Sequence, residues 1–252
     1  MKTTTLLFTL ALCALPLAAQ SPLSGAKRRA LLIGNASYES LPALSGPVND
    51  IRDMDAVLEK AGFSVKLLGN ASREAMERTA VEFTNSLQKG DVAMIFYSGS
   101  GVEIDGENYL IPVDIPSPVD EAVLKYRSFP VRQLIDSIQN RGVRLQIVVL
   151  DTCRDNPFRS TKGVSKAGLA PMYGGRATFI AYASAPGERA YDEKGNGVFT
   201  RELVKVLATP GLELKDVFAR AGAATYAATS HSQSPWFATN VYEPFYFINA
   251  VR

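Results

Sequence analysis

Histidine occurs once in 252 residues, tryptophan once and cysteine twice. No clustered-histidine or paired-cysteine pattern is present, so the sequence offers no metal centre of the zinc type and no cofactor is expected. Charge of one sign is also missing: 27 Lys and Arg face 25 Asp and Glu. Without a basic block, neither nucleic acid nor an anionic membrane surface is implied as a partner. Internal repeats and low-complexity tracts are absent. What remains is 46% hydrophobic and 21% charged, which suits one soluble globular domain with a sizeable core.

Lys2, the apolar run Leu6 to Leu17 and the small residues Ala18 and Ala19 have the basic start, greasy centre and small-residue end of a secretory signal peptide. The run is short of the about 20 apolar residues that cross a bilayer. The expected organisation is therefore a signal over residues 1–19, a linker over 20–27 and a domain over 28–249, with a secreted or periplasmic product and no stable membrane insertion. Loss of Cys13 with the signal leaves Cys153 as the single cysteine, unable to form an internal disulfide. An unpaired thiol in an exported protein is flagged as reactive or intermolecular. Its bland alternative is a buried small hydrophobe.

Short β-rich apolar runs alternate with stretches of helical period, the pattern of an α/β fold with a largely parallel sheet. Strands are predicted at Ala30 to Ile33, Phe63 to Leu68, Val92 to Tyr97, Leu145 to Leu150, Ala177 to Ala183 and Phe245 to Ile248. Helical stripes run through Ile51, Met54 and Leu58, with Asn49 or Asp50 as cap, and through Met76, Ala80 and Phe83, with Ser72 as cap and Gly90 as stop. Further stripes run through Leu134, Ile135 and Ile138, through Phe199, Leu203 and Leu207, and through Val217, Phe218 and Ala221. Ser98 to Pro130, rich in glycine, proline and acid, reads as a loop with a hairpin or short excursion.

Ligands of open α/β sheets bind beyond the carboxyl ends of the strands. Two central strands end at Tyr97 and Leu150, and their exits read Ser98-Gly99-Ser100-Gly101 and Asp151-Thr152-Cys153-Arg154-Asp155-Asn156-Pro157. Together with Asn108 to Pro112, Tyr182 to Gly187 and Gln233 to Trp236, these segments resemble, in order and spacing, the bacterial caspase-like cysteine peptidases related to metacaspases and caspases. The resemblance runs from Arg28 to Asn249 and implies a three-layer caspase-like fold with a mostly parallel central sheet flanked by helices. It also implies thiolate attack on a peptide carbonyl, assisted by a histidine and by backbone N–H groups that hold the oxyanion. Cys153 matches the nucleophile, and the amides of Gly101 and Cys153 match the oxyanion donors. Asp151 matches an acidic wall that in metacaspase-type members selects Arg or Lys before the scissile bond, although a purely structural role capping its loop is equally open. The family's histidine falls about 50 residues before the cysteine, and that position is Ser100.

Serine does not titrate near neutrality, so it can neither take the thiol proton nor deliver one to a leaving amine. A cysteine of ordinary pKa, about 8.5, is only a few per cent thiolate at pH 7. The expectation is a pseudo-peptidase that binds peptide or protein ligands, with an active cysteine endopeptidase cleaving after Arg or Lys as the alternative. His231, between Ser230 and Ser232, reads as a solvated loop residue. Gly99-Ser100-Gly101 lacks the third glycine of a dinucleotide turn, and Ser100 lacks the preceding glycine of a serine-hydrolase elbow. Asp114, Asp120 and Glu121 raise the question of calcium, but read more simply as a solvated acidic loop.

Overall fold

A computed structural model describes residues 26–116, 119–153, 158, 168–186, 188, 190–193 and 195–250, with Cys153 described by its backbone only. The expected signal segment and most of the 154–167 loop lie outside the described residues. In chain order the elements are β1 (Arg28–Gly34), α1 (Pro47–Lys60), β2 (Phe63–Gly69), α2 (Arg73–Ser86), β3 (Val92–Ile104), β4 (Glu107–Leu110), α3 (Glu121–Arg127), β5 (Phe129–Pro130), α4 (Val131–Gln139), β6 (Leu145–Cys153), β7 (Thr178–Tyr182), β8 (Asp192–Glu193), β9 (Asn196–Gly197), α5 (Val198–Leu207), α6 (Leu214–Ala228) and β10 (Trp236–Thr239). The main sheet runs β10-β7-β6-β3-β1-β2, parallel throughout except for β10.

Side chains alternate across a strand, so an unbroken apolar run feeds two cores at once. Val92, Met94 and Phe96 of β3, with Leu145, Ile147 and Val149 of β6, pack against Met54, Leu58, Phe199 and Phe218 of α1, α5 and α6. The intervening Ala93, Ile95 and Tyr97, with Val148 and Leu150, pack against Met76, Phe83, Leu134 and Ile138 of α2 and α4. Three layers result. Phe179, fully buried, has its ring centroid 4.7 Å from that of Phe218 and 4.8 Å from that of Phe237. Phe179→Ala is expected to cost about 3–5 kcal/mol in urea unfolding, because it forfeits both ring contacts and leaves a cavity.

Several sequence expectations are corrected. The predicted exit loops are strand: β3 continues through Ser98, Gly99, Ser100 and Gly101 to Ile104, and β6 through Asp151 and Thr152 to Cys153. Glycine and serine read as breakers, yet pairing with neighbouring strands satisfies their backbone groups and overrides propensity. The hairpin is present, turned by Asp105 and Gly106 at φ 52° and 81°, the two-residue turn that suits strand twist. Helix α1 begins at Pro47, earlier than a cap at Asn49 or Asp50 allows, because proline is preorganised for the first helical position. That places Asp50 inside the helix. Helix α2 ends at Ser86, ahead of Gly90. Helix α3 was expected to be loop, and Asp120 caps it by accepting from Val123 N at 2.7 Å. The last strand is Trp236–Thr239, whereas Phe245 and Phe247 are core residues and Tyr246 makes one isolated bridge to Glu213.

Candidate ligand cleft at the carboxyl ends of β3 and β6

The parallel register of β3 and β6 sets Ser98, Gly99 and Ser100 directly across from Asp151, Thr152 and Cys153. The two positions that the sequence singled out, Ser100 and Cys153, are therefore neighbours on adjacent strands at one end of the sheet. Ser100 is held by its backbone from both sides. Its N–H donates to the Tyr38 hydroxyl at 2.7 Å, and its carbonyl accepts from the Tyr97 hydroxyl at 2.7 Å and from Ile111 N at 3.0 Å. A Cβ on Gly99 would stand 2.8 Å and 2.9 Å from those two hydroxyls, so the clamp requires glycine there. The Ser100 carbonyl faces β4, and the Gly101 N–H of the same trans peptide points the other way, toward the side where β6 ends at Cys153.

Beside this edge lies a buried acidic pocket. The Asp50 carboxylate, delivered by the first turn of α1, accepts from Ser98 Oγ at 2.7 Å, Gly197 N at 3.0 Å and Asn196 Nδ2 at 3.2 Å. The Asp151 carboxylate accepts from Thr200 Oγ1 at 2.6 Å. A Cβ built on Gly197 would stand 2.6 Å from Asp151 Oδ2 and 3.2 Å from Asp50 Oδ2, and one on Gly46 would meet both Asp192 oxygens at 3.2 Å. Burial, with the Asp50 charge second, pushes the Asp151 carboxyl up to about 8; the Thr200 bond opposes this. Burial also raises Asp50, to about 6, against the bonds from Ser98, Gly197 and Asn196. Desolvation raises Asp192 as well. Arg201, which follows Thr200 in the chain, pairs with Glu193 and Glu202.

Of these residues the sequence reading named only Asp151. In sequence Asp50 is one of two candidate helix caps, with Asn49, while Asp192, Asn196, Gly197 and Thr200 have only a dipeptide turn and a helix start as local signals. Gln233 closes the neighbouring rim, with Nε2 donating to Ala183 O at 2.7 Å and Oε1 accepting from Tyr191 N at 3.1 Å. Trp236 stacks on Tyr182 at 4.5 Å. His231 is exposed at the end of α6, at φ 66°, with its ring 4.5 Å from that of Tyr226. The suspected calcium residues have structural partners. Asp114 accepts from Arg73 N and Arg127 Nη2, and Glu121 pairs with Lys125. Among the described residues, no group of three or more His, Cys, Asp or Glu is arranged to hold a metal ion.

A mostly parallel three-layer sheet with its candidate cleft at the carboxyl ends of two central strands defines an α/β protein of the caspase-like architecture. A profile of the caspase domain matches residues 27–246, and the chain belongs to that family. It is 28% identical over 192 residues to human "Mucosa-associated lymphoid tissue lymphoma translocation protein 1" and 29% identical over 192 residues to the mouse homolog. Each alignment covers 75% of this chain and 22% of the relative, so the chain spans about a fifth of the length of the curated relatives it matches.

Proposed function

We propose that this chain is a caspase-domain protein that binds peptide or protein ligands through a basic side chain and has impaired or absent proteolysis. The observation that carries the reading is Ser100 across from Cys153, beside a pocket of carboxylates to which no described cation is bonded. A thiol nucleophile needs a partner that accepts its proton and later protonates the leaving amine, and a hydroxyl does neither. The rest of the cleft is consistent with ligand binding. The Gly101 N–H faces the β6 side as an oxyanion donor, and Asp50, Asp151 and Asp192 offer oxygens that, once ionised, form an acceptor-only surface suited to guanidinium or ammonium.

Purified mature protein is expected to leave peptides with Arg or Lys before a reporter group uncleaved, at the level of Cys153→Ala. It is expected to bind a blocked arginine peptide more tightly than its norleucine counterpart in calorimetry. Turnover that Cys153→Ala abolishes would establish a working peptidase instead, and equal affinity for the two peptides would remove the acidic pocket from recognition. We also propose export, on the strength of the leader-like residues 1–19. Amino-terminal sequencing of the exported chain should begin at Gln20, and retention of the intact leader in the cell would reject this.

A further inference from the structure

The first turn of α5 touches both carboxylates of the pocket. Gly197, its N-cap, has ordinary extended angles, φ −60° and ψ 132°, so its backbone does not demand glycine. The demand comes from space: the missing Cβ lets Asp50 and Asp151 lean on one face of the residue. From the distances to that Cβ position, the two Oδ2 atoms are at most about 6 Å apart, near enough for like charges to resist joint ionisation. Each carboxylate has a neutral donor from the same turn, Gly197 N–H for Asp50 and the Thr200 hydroxyl for Asp151.

Among the described residues, the other groups facing the pair supply no counter-charge. Strand β3 contributes the Ser98 hydroxyl, α1 adds Asp53 behind Asn196, and the β8–β9 hairpin adds Asp192 and Asn196. All are neutral or acidic. Two buried, adjacent carboxylates without a cation retain a proton, whereas a bound cation makes the doubly ionised form favourable.

We infer that entry of a cationic side chain into this pocket drives out the proton that Asp50 and Asp151 hold between them, and that Thr200 is the positioning residue that sets the pH of this exchange. The inference rests on the reading of the pocket as a site for basic ligands. The proton leaves to solvent and the ligand keeps its own, so the pocket gains one negative charge for the one positive charge it takes up. The Thr200 hydroxyl favours ionised Asp151, so its removal moves the exchange to higher pH.

The test is calorimetric titration of the full mature protein with an acetylated arginine peptide amide at several pH values, in buffers of different ionisation enthalpy. Affinity is expected to rise up to about tenfold per pH unit between about pH 6 and 8, with close to one proton released per peptide bound. Thr200→Val should shift this rise to higher pH, and Thr200→Ser should restore it. A flat affinity with no buffer dependence overturns the inference while leaving the binding reading intact. So does a Thr200→Val loss that is equal at every pH. If the arginine peptide never outbinds its norleucine counterpart, the reading of the pocket fails and the inference falls with it. The wild-type pH series decides the coupling even if the Thr200 variants do not fold.

Discussion

Ser100→His is expected to raise hydrolysis of Arg- and Lys-containing peptides at least about 100-fold over the wild-type chain, since a positioned general acid–base contributes roughly 10²–10⁴ in rate. The scaffold at this position is already fixed. Two tyrosine hydroxyls hold the Ser100 backbone, and the register places its Cα opposite that of Cys153. An imidazole issuing from residue 100 therefore starts from the adjacent strand, where both proton transfers can be served. The new activity should vanish in Ser100→His/Cys153→Ala, measured on the same fluorogenic peptides. A folded Ser100→His protein that stays silent would reject the proposal that Ser100 is what impairs proteolysis.

Asp151→Asn is expected to flatten the pH dependence of stability between pH 6 and 8 in the ligand-free protein and to weaken binding of an arginine peptide about 10- to 100-fold at pH 8. The folded-state pKa of Asp151, about 8, lies above the 3.8 of an unstrained aspartate, and that of Asp50, about 6, does as well. Between those limits the native state binds more protons than the unfolded chain, so stability falls as pH rises. The loss is full above about pH 8 and absent below about pH 4. Each group contributes up to about 1.4 kcal/mol per pH unit within its own window. The asparagine keeps an oxygen for Thr200 but carries no charge. Its unfolding midpoint should change little from pH 6 to 8, and at pH 8 it should exceed that of wild type. A variant that tracks wild type across that interval would show that Asp151 is ionised without penalty and that burial does not govern the pocket.

The alternation of apolar runs with helical stripes made the α/β class legible, because a strand buried on both faces must be apolar at every step, as Val92 to Tyr97 is. The two strand ends were legible as well, since Cys153 and Ser100 stand in recognisable segments 53 positions apart. The extent of those strands was not. Ser98 to Gly101 carries breaker residues, and only pairing with β6 and β4 keeps it extended. Helix α3 escaped for the opposite reason, being a short polar segment whose one local signal was the Asp120 cap.

By itself the sequence determined the α/β class, a matter of local period, and set Ser100 and Cys153 just beyond two apolar runs, a matter of residue type. Beyond Asp151, the acidic pocket was decided by tertiary structure. Asp50, Asp151 and Asp192 come from a helix, a strand and a hairpin far apart in the chain, and each looks ordinary among its own neighbours. Their chemistry arises only when the fold buries Asp50 and Asp151 around Gly197 and brings Asp192 beside Gly46, since proximity and desolvation, not residue type, make their charge costly.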